Sequence, residues 1–569
     1  MNENFPALRA KIAIAINHVG YEKLGVKHGV ILLGDQAPFD KCFLFDADGR
    51  KVEAVVNIER PCEVEGWNDL RFQPLEFSAL KVEGQFYLQA VRADGSLLAS
   101  EMFDVRSALL VDRLSPLIAD YFKSQRCIGQ YEEADKSIPF VGHQKNSKAD
   151  VHGGWYDASG DVSKYLSHLS YANYMNPQQS PLVVWSLALA SQAVSLDPEV
   201  ADRLAEEASY GADFLTRMCD PTGAFYMTVF DKWSGDVNQR EICSYATQAG
   251  HKSDDWQAGY RQGGGMAIAA LAAAARLGLG GAFSANDYLH TAKRAFDHLE
   301  VHNTDYLDNG QENIIDDYCA LIACVELFKA TDDLAFRNRA KWRVENLMAR
   351  LHDGYDFSGW FRADEEGKRP FSHAADEGMP LVALSEYLAI ADDQEAAQTV
   401  ECIHVAVAHI LAITQQVCNP FAYPRQLVKS SNGMIKSQFF FPHENESGYW
   451  WQGENARLAS LAFGLRCVAA VLQDELRAPA LAQAQRMLDW ILGLNPYQSC
   501  MMQGAGRNVA QYALAKFPNV DGGICNGITS GLLNEDDIAF CETEDPFQSW
   551  RWGEQWLPHA AWFLLAIAK

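Results

Sequence analysis

The chain has 569 residues, and its 48 basic and 74 acidic side chains give a formal net charge of −26. At about 100–200 residues per ordinary domain, this length predicts more than one structural unit, unless one unit is a large barrel. A composition of 48% apolar and 21% charged residues excludes a disordered or fibrous protein. The negative charge disfavours binding to nucleic acid or to an anionic membrane surface.

The N-terminus and the cysteines indicate in which cellular compartment the protein is expected. Residues Met1–Lys11 lack the basic head and apolar core of a signal peptide, and the apolar stretches are too short to span a bilayer. The 13 cysteines are odd in number and irregularly spaced, which favours buried free thiols over a disulfide framework. We therefore expect a cytoplasmic protein, with non-classical export as the open alternative.

The first hundred residues have the pattern of short strands joined by turns. Asp48-Gly49 and Asp94-Gly95 are turn signals between apolar runs. Strand candidates are Ile12–Ile16, His28–Leu33, Lys41–Asp46, Lys51–Ile58, Gln85–Val91 and Leu97–Val105. Their spacing and the length of the region predict an antiparallel, immunoglobulin-like β-sandwich domain over residues 1–106.

From residue 107 to residue 569 the apolar residues recur at helical spacing. Several of these helices are apolar nearly all round, as in Ala267–Ala274, and must be covered on every side. Predicted helices are Pro181–Ala193, Asp202–Met218, Gly263–Leu277, Asp316–Ala330, Leu334–Leu351, Gly378–Ile390, Glu395–Thr414, Gly453–Leu472, Ala478–Leu492 and Leu557–Ala568. They predict two concentric helical layers, with the long polar insertions between helices collected at one mouth.

One segment, His152–Asp161, is the densest in chemical groups. It presents Asp157 and Asp161 four residues apart, beside Trp155 and Tyr156. A carboxylate is the usual base for activating water, and flat aromatic faces suit the stacking of sugar rings. The alternative interpretation is that the two aspartates only form turns, as Asp and Gly commonly do.

A second carboxylate, Glu554, comes just before the last apolar helix. Trp552 and Trp556 flank it, and a carboxyl packed against indole can stay protonated and act as an acid. Trp552 is also a predicted sugar contact. The alternative is an ordinary first-turn glutamate favoured by the helix dipole.

Further candidates for sugar contact precede the helix near residue 453. Tyr449, Trp450 and Trp451 are adjacent aromatics followed by Glu454. Core packing is the alternative, although neighbouring tryptophans on a helix cannot both face one interior. His373, Asp376 and Glu377 stand together before another helix, where capping explains them slightly better than binding.

Read in order, these two carboxylate clusters resemble glycoside hydrolase family 9, whose cellulases are (α/α)6 barrels. The match extends to Ile16–Tyr21, similar to the opening strand of the family's N-terminal immunoglobulin-like domain, and to Tyr121–Cys127 and Asn495-Pro496 in the barrel. The resemblance implies a multidomain protein, with an immunoglobulin-like sandwich followed by an all-α (α/α)6 barrel.

The resemblance also implies a catalytic assignment. Asp161 takes the place of the general base, Asp157 that of its water-orienting partner and Glu554 that of the general acid. The mechanism would be single-displacement hydrolysis with inversion, which needs roughly 6.5–9.5 Å between the carboxyl groups.

The chain departs from the family pattern in ways that bear on substrate and metal. Three residues, Ala158-Ser159-Gly160, separate the aspartates, one more than in most family cellulases, and the family's downstream His-His-Arg run is missing. Some members bind zinc with two Cys and two His. Here Cys127, His143 and His152 lack the second Cys, so we predict no metal and no cofactor.

The stretch Asp157–Pro181 resembles the exo-β-D-glucosaminidase branch of the family. An ammonium group at the end of the cleft would need a carboxylate partner. Candidates are Glu444, Glu446, Glu454, Asp316 and Asp317.

Four functional hypotheses follow, all but the last with an oligosaccharide as partner. The first is an inverting exo-β-D-glucosaminidase acting on chitosan- or chitin-derived oligosaccharides, and the alternative is an endo-1,4-β-glucanase. A non-catalytic glycan-binding protein is the third. A terpene cyclase is far behind, because the Asp-Asp pairs, such as Asp316-Asp317, do not form its signatures.

Overall fold

A computed structural model describes residues 12–67, 70–142, 147–168, 175–247, 249–353, 357–430, 432–444, 453–512, 519–541 and 546–569, without the side chains of residues 546–548. In these ranges the N-terminal part is β-rich and the remainder is mainly helical. The two-part organisation predicted from the change in periodicity is present.

The N-terminal unit contains two β-sheets that share one apolar core. One sheet has the order β1-β3-β8-β6 with β7 also on β8, and the other has the order β2-β11-β9-β4-β5 with β10 also on β9. The strands are β1 Ala13–Ala15, β2 Tyr21–Glu22, β3 His28–Leu32, β4 Lys41–Asp46, β5 Lys51–Val52, β6 Asn57–Ile58, β7 Cys62–Glu63, β8 Arg71–Glu76, β9 Gly84–Val91, β10 Leu97–Ala99 and β11 Phe103–Arg106. Its immunoglobulin-like assignment stays a prediction.

Two strand predictions need correction. The stretch Lys51–Ile58 is two short strands in different sheets, and the pattern missed β8 altogether. Pro74 lies within β8, opposite Val30, and a proline inside a run normally argues against a strand. The strand tolerates the proline because both of its faces are covered. Leu75 is buried in the core between the two sheets, and Phe72, on the opposite face, is buried against the barrel residue Phe421.

A closed ring of inner helices forms the centre of the second unit. In the described ranges each of the six packs against the next, in the order α3, α5, α7, α9, α11, α14 and back to α3. They are α3 Ser180–Ala190, α5 Gly265–Arg276, α7 Ile314–Thr331, α9 Met379–Leu388, α11 Asn455–Val468 and α14 Leu557–Ala568. Nearly every side chain of these helices is buried, as expected for segments apolar on all sides.

Outer helices alternate with the inner ones along the chain, so the inner helices run parallel and begin at the same mouth. They are α1 Leu109–Ser124, α4 Pro198–Arg217, α6 Ala285–His302, α8 Leu334–Ala349, α10 Asp393–Thr414 and α12 Asp474–Ile491. The sequence pattern missed α6, which buries only one side and carries charge on the other. Of the described helices, α10 alone has the length and composition to cross a membrane, but its buried side packs on α9 and α12.

Connections between the helices contain short strands and two small helices. The helices are α2 Gln130–Asp135 and α13 Pro546–Gly553. The strands are Ile138–Pro139, Lys148–Ala149, Lys164–Tyr165, Phe225–Tyr226, Thr228–Phe230, Glu241–Ala246, His251–Ser253, Gln257–Ala258, Gln426–Lys429, Ile435–Gln438, Thr529–Ser530 and Ile538–Ala539.

The two units are joined by packing and by a covalent bond. Trp67 of the β unit is fully buried among barrel aromatics, with ring centroids 4.9 Å from Phe439 and 6.1 Å from Trp490. Cys62 on β7 forms a disulfide with Cys418, which follows α10. The expectation of free thiols is therefore wrong for this pair, while the other eleven cysteines are free. The cytoplasmic location stays a prediction.

Candidate active site

The loop carrying both aspartates enters the mouth through a sharp turn. Gly153 and Gly154 have φ angles of 89° and 73°, which side-chain-bearing residues rarely adopt. A Cβ atom on Gly154 would lie 2.8 Å from the ring of Phe214, so glycine also allows close packing on α4. This turn directs the chain from the barrel wall toward Asp157.

Each aspartate is held by neutral hydrogen-bond donors. The Asp157 carboxylate accepts from the side chain of Gln179, and from the Trp556 indole at 3.1 Å. The Asp161 carboxylate accepts from the Ser163 amide at 2.8 Å and from the Tyr165 hydroxyl at 3.0 Å. Both side chains are nearly buried, so the donors fix which way each carboxylate faces.

Glu554 is brought to the aspartates by a short bridge between two distant segments. Ala158 pairs with Trp556 as an isolated antiparallel bridge. The Ser159 amide donates to the Gln555 carbonyl at 2.9 Å, and the Leu557 amide donates to the Asp157 carbonyl at 3.3 Å. The structure thus brings together all three predicted catalytic carboxylates at the mouth.

Burial and mutual repulsion shift the pKa values of these carboxyls upward. Burial, reinforced by Asp161, raises the pKa of Asp157 well above its usual range. Burial, reinforced by Asp231, raises the pKa of Asp161 to about 6. Burial, reinforced by both Asp157 and Asp161, raises the pKa of Glu554 well above its usual range. Asp161 is therefore the best candidate for the charged base and Glu554 for the protonated acid.

Two tyrosines border the same space. Burial raises the phenol pKa of Tyr121, with added effects of Asp157 and Glu554. Burial also raises the phenol pKa of Tyr512, with added effects of Glu554 and Asp161. Since each phenol senses Glu554 and one aspartate at once, the three carboxyls lie close to one another.

A buried ion cluster supports the aspartate loop from behind. Lys164 and Arg240 both pair with Asp135 at 2.7 Å, and all three side chains are fully buried. The Lys164 ammonium also donates to the carbonyls of Val151 and Gly153. On the other side of the aspartates, the Arg240 guanidinium donates to the Val162 carbonyl at 2.7 Å. The cluster therefore fixes the loop before and after its two aspartates.

Three aromatic residues predicted to bind sugar have no free face. Trp155 is completely buried, packs on Phe122 and donates its indole N–H to Glu207. Tyr156 is 7% exposed, and its hydroxyl accepts from the Ile128 amide. Trp552 is likewise completely buried. All three rings are buried in this structure, and their assignment as stacking platforms stays a prediction.

The predicted ammonium partners are mostly occupied or remote. Glu454 is buried and ion-paired with Arg457, and its assignment as a substrate contact stays a prediction. Asp316 pairs with Arg261 in the same way, and Asp317 with Arg350. Glu444 is exposed. Tyr449, Trp450, Trp451 and Glu446 lie outside the described residues, so their roles stay predictions.

Several residues at the site were not found from the sequence. Gln179 and Trp556 hold Asp157, but only the fold relates their positions to it. His168 lies 3.7 Å from the Asp157 carboxylate, and burial lowers the pKa of this imidazole to about 3. Tyr165 could have been noticed, because it follows Asp161 by four residues in an aspartate-rich loop.

The described residues contain no group of three or more His, Cys, Asp or Glu side chains arranged to hold a metal ion. Cys127 instead directs its thiol to Asp135, and His152 pairs with Asp150. His143 lies outside the described ranges.

Comparison with known proteins identifies relatives of the barrel. A model of Glycosyl hydrolase family 9 matches residues 118–521. A metagenome-derived family 9 endoglucanase superposes with a TM-score of 0.67 at 18% identity, covering 99% of each chain. A zinc-binding triple mutant of the family 9 endoglucanase J30 gives a TM-score of 0.66 at 17% identity, over 96% of this chain and 99% of that one.

A third structure carries bound sugars. The endoglucanase CelQ from Clostridium thermocellum, complexed with cellobiose and cellotriose, has a TM-score of 0.50 at 16% identity, over 80% of this chain and 69% of that one. No curated protein sequence matches the chain.

Removing the ammonium of Lys164 tests the ion cluster. We expect Lys164→Met to lower the free energy of unfolding by about 3 kcal/mol, because it strips a buried pair of one partner. Urea denaturation measures the change. The matched control is Lys136→Met, whose solvent-exposed pair with Glu133 should contribute far less to the free energy of unfolding. Equal losses in the two variants would contradict the role given to the cluster.

Proposed function

The chain belongs to glycosyl hydrolase family 9, and on that premise we propose that it is an inverting hydrolase of β-1,4-glycosidic bonds. The observation that carries the proposal is the convergence of Asp157, Asp161 and Glu554 through the bridge between residues 157–161 and 554–557. The family assignment supports a glycoside hydrolase, and the convergence of three carboxyls with raised pKa values supports acid–base catalysis.

The proposed reaction is a single displacement. The Glu554 carboxyl protonates the glycosidic oxygen as the bond to the anomeric carbon breaks, and the leaving sugar departs as an alcohol. The Asp161 carboxylate takes a proton from water, whose oxygen attacks the anomeric carbon from the opposite face. Asp157 orients that water. The hydrogen bonds to Asp161 leave each of its oxygens a further lone pair for the water proton.

For the substrate, similarity to endoglucanases supports a neutral β-1,4-glucan as the first candidate. Three structures that superpose on most of this chain are endoglucanases, and one of them was determined with cellobiose and cellotriose. This candidate makes the protein an endo-1,4-β-glucanase.

The charge of the pocket favours a second candidate, a glucosamine-containing oligosaccharide cleaved by an exo-β-D-glucosaminidase. In the described part of the chain no Lys or Arg side chain forms an ion pair with Asp157, Asp161, Asp231 or Glu554. Other buried carboxylates at the mouth, such as Glu454 and Asp316, are neutralised by arginine. An ammonium on the sugar would supply the missing positive charge.

Neutralising either catalytic carboxyl tests the assignment. We expect Glu554→Gln and Asp161→Asn each to lower kcat by about 10²–10⁴-fold with little change in KM, because each removes a proton donor or acceptor. Steady-state hydrolysis of the cleaved oligosaccharide measures both constants.

The matched control is Asp150→Asn, an exposed carboxylate of the same loop, which should retain the parent kcat. An Asp161→Asn variant with full turnover would remove Asp161 from the mechanism. A parent protein that binds sugars without cleaving them would favour the glycan-binding alternative.

The pKa shifts predict a bell-shaped pH profile. Asp161 must be ionised, so kcat/KM should rise with pH through its pKa of about 6. Glu554 must be protonated, so kcat/KM should fall as pH rises through its elevated pKa. The residual activity of Glu554→Gln should lack the alkaline fall. A parent kcat/KM that already decreases with rising pH at values below pH 6 would contradict these roles.

Two substrates separate the two candidates. An endoglucanase should lower the viscosity of a soluble cellulose derivative and leave glucosamine dimers intact. An exo-glucosaminidase should release monomer from glucosamine dimers, without loss of viscosity in the glucan. N-acetylation of the dimer should abolish cleavage if the ammonium is recognised, because acetylation removes its charge.

A further inference from the structure

Ser159, the middle residue between the two aspartates, joins their loop to the segment that carries the acid. Its side chain is 3% exposed. The Ser159 amide donates to the Gln555 carbonyl at 2.9 Å, and the Gln555 amide donates back to the Ser159 hydroxyl oxygen at 2.8 Å. The same hydroxyl donates to the Asn519 side-chain carbonyl at 2.7 Å. One hydroxyl therefore serves two partners on two different segments.

Asn519 closes a ring of hydrogen bonds around Glu554. Its side-chain amide donates to the Gly553 carbonyl at 2.7 Å. Gly553 and Gln555 are the neighbours of Glu554, so the main chain is held on both sides of the acid. The Gln555 side chain extends the contact, because it accepts from the Val520 amide at 2.9 Å and donates to the Val520 carbonyl at 2.8 Å.

We propose that Ser159 and Asn519 form a positioning pair that sets the place of the Glu554 carboxyl relative to Asp161. The inference rests on the proposed function and deepens it. Protonation of the glycosidic oxygen requires the acid within hydrogen-bond reach, and a displacement of about 1 Å can cost roughly 10²-fold in rate. Neither side chain donates to a catalytic carboxylate, so their effect passes through the main chain of residues 553–555.

Ser159 occupies the loop that is one residue longer than in most family cellulases. The residues around it form a tight turn in which Ala158 pairs with Asp161 as well as with Trp556. The longer loop thus supplies a hydroxyl at the point where the two segments meet. The spacing of the aspartates and the anchoring of the acid are therefore set by the same turn.

The experiment compares two leaving groups in Ser159→Ala. On the oligosaccharide cleaved by the parent, which needs acid assistance, kcat should fall roughly 10–100-fold with KM within about threefold. On the 2,4-dinitrophenyl glycoside of the same sugar, whose leaving group departs without a proton, kcat should stay within about threefold of the parent. An equal fall on both substrates, or no fall on either, would overturn the proposal.

A control and a second variant guard against a simple loss of folding. Ser186→Ala removes an equally buried serine hydroxyl on α3 and should leave both rates unchanged. Asn519→Ala, at a half-buried position, should repeat the leaving-group selectivity of Ser159→Ala. The double variant should lose little more than either single one, because both belong to one ring. If the fold-losses in kcat of the two single variants multiply in the double variant, Ser159 and Asn519 act separately, and the positioning pair is contradicted.

The outcomes also separate this proposal from the one on which it rests. A parent protein that hydrolyses neither glucan nor glucosamine oligomers would defeat the proposed function. An active parent whose Ser159→Ala variant loses activity regardless of leaving group would defeat the positioning pair alone.

Discussion

The hydrogen-bonded bridge between residues 157–161 and residues 554–557 is the contact on which the site depends. It joins segments from opposite ends of the barrel sequence, and it does so through main-chain groups of Asp157, Ser159, Gln555 and Leu557. Main-chain pairing fixes position without regard to side-chain identity. The bridge therefore sets the relative position of the main chains that carry Asp161 and Glu554, whatever side chains those positions carry.

The architecture explains why such a bridge can form. Because each inner helix is followed by an outer one, all inner helices begin at the same mouth, and their first amide groups need acceptors there. The segments before α3 and α9 meet for this reason, as when the Gln178 main-chain amide donates to the Asp376 carboxylate at 2.8 Å. The acids at the mouth are thus partly a structural necessity. Lack of an arginine partner is not enough to mark an acid as chemical, because Asp376 has none among the residues that the structure describes and instead accepts from the Gln178 amide and the Trp562 indole.

The sequence predicted the parts of the fold that local patterns determine. The inner helices were found because they are apolar nearly all round. Helix α6 was missed although it buries one side much as the predicted outer helix α4 does. The motif singled out Asp157, Asp161 and Glu554, but it did not indicate whether the neighbouring aromatic rings face the mouth or the core. Trp155 and Trp552 adjoin catalytic positions in sequence and face the core in space. The donors Gln179 and Trp556 depend on tertiary contacts that no spacing rule expresses.

The insertion of Trp67 into the barrel flank has a consequence for the history of the protein. Without the β unit, the hollow between Phe439 and Trp490 would open to water and expose a contiguous aromatic surface. Surfaces of that kind promote self-association. Recombination that separated the two units would therefore leave the barrel prone to aggregate, so the pair should be inherited as a single block rather than shuffled as independent modules.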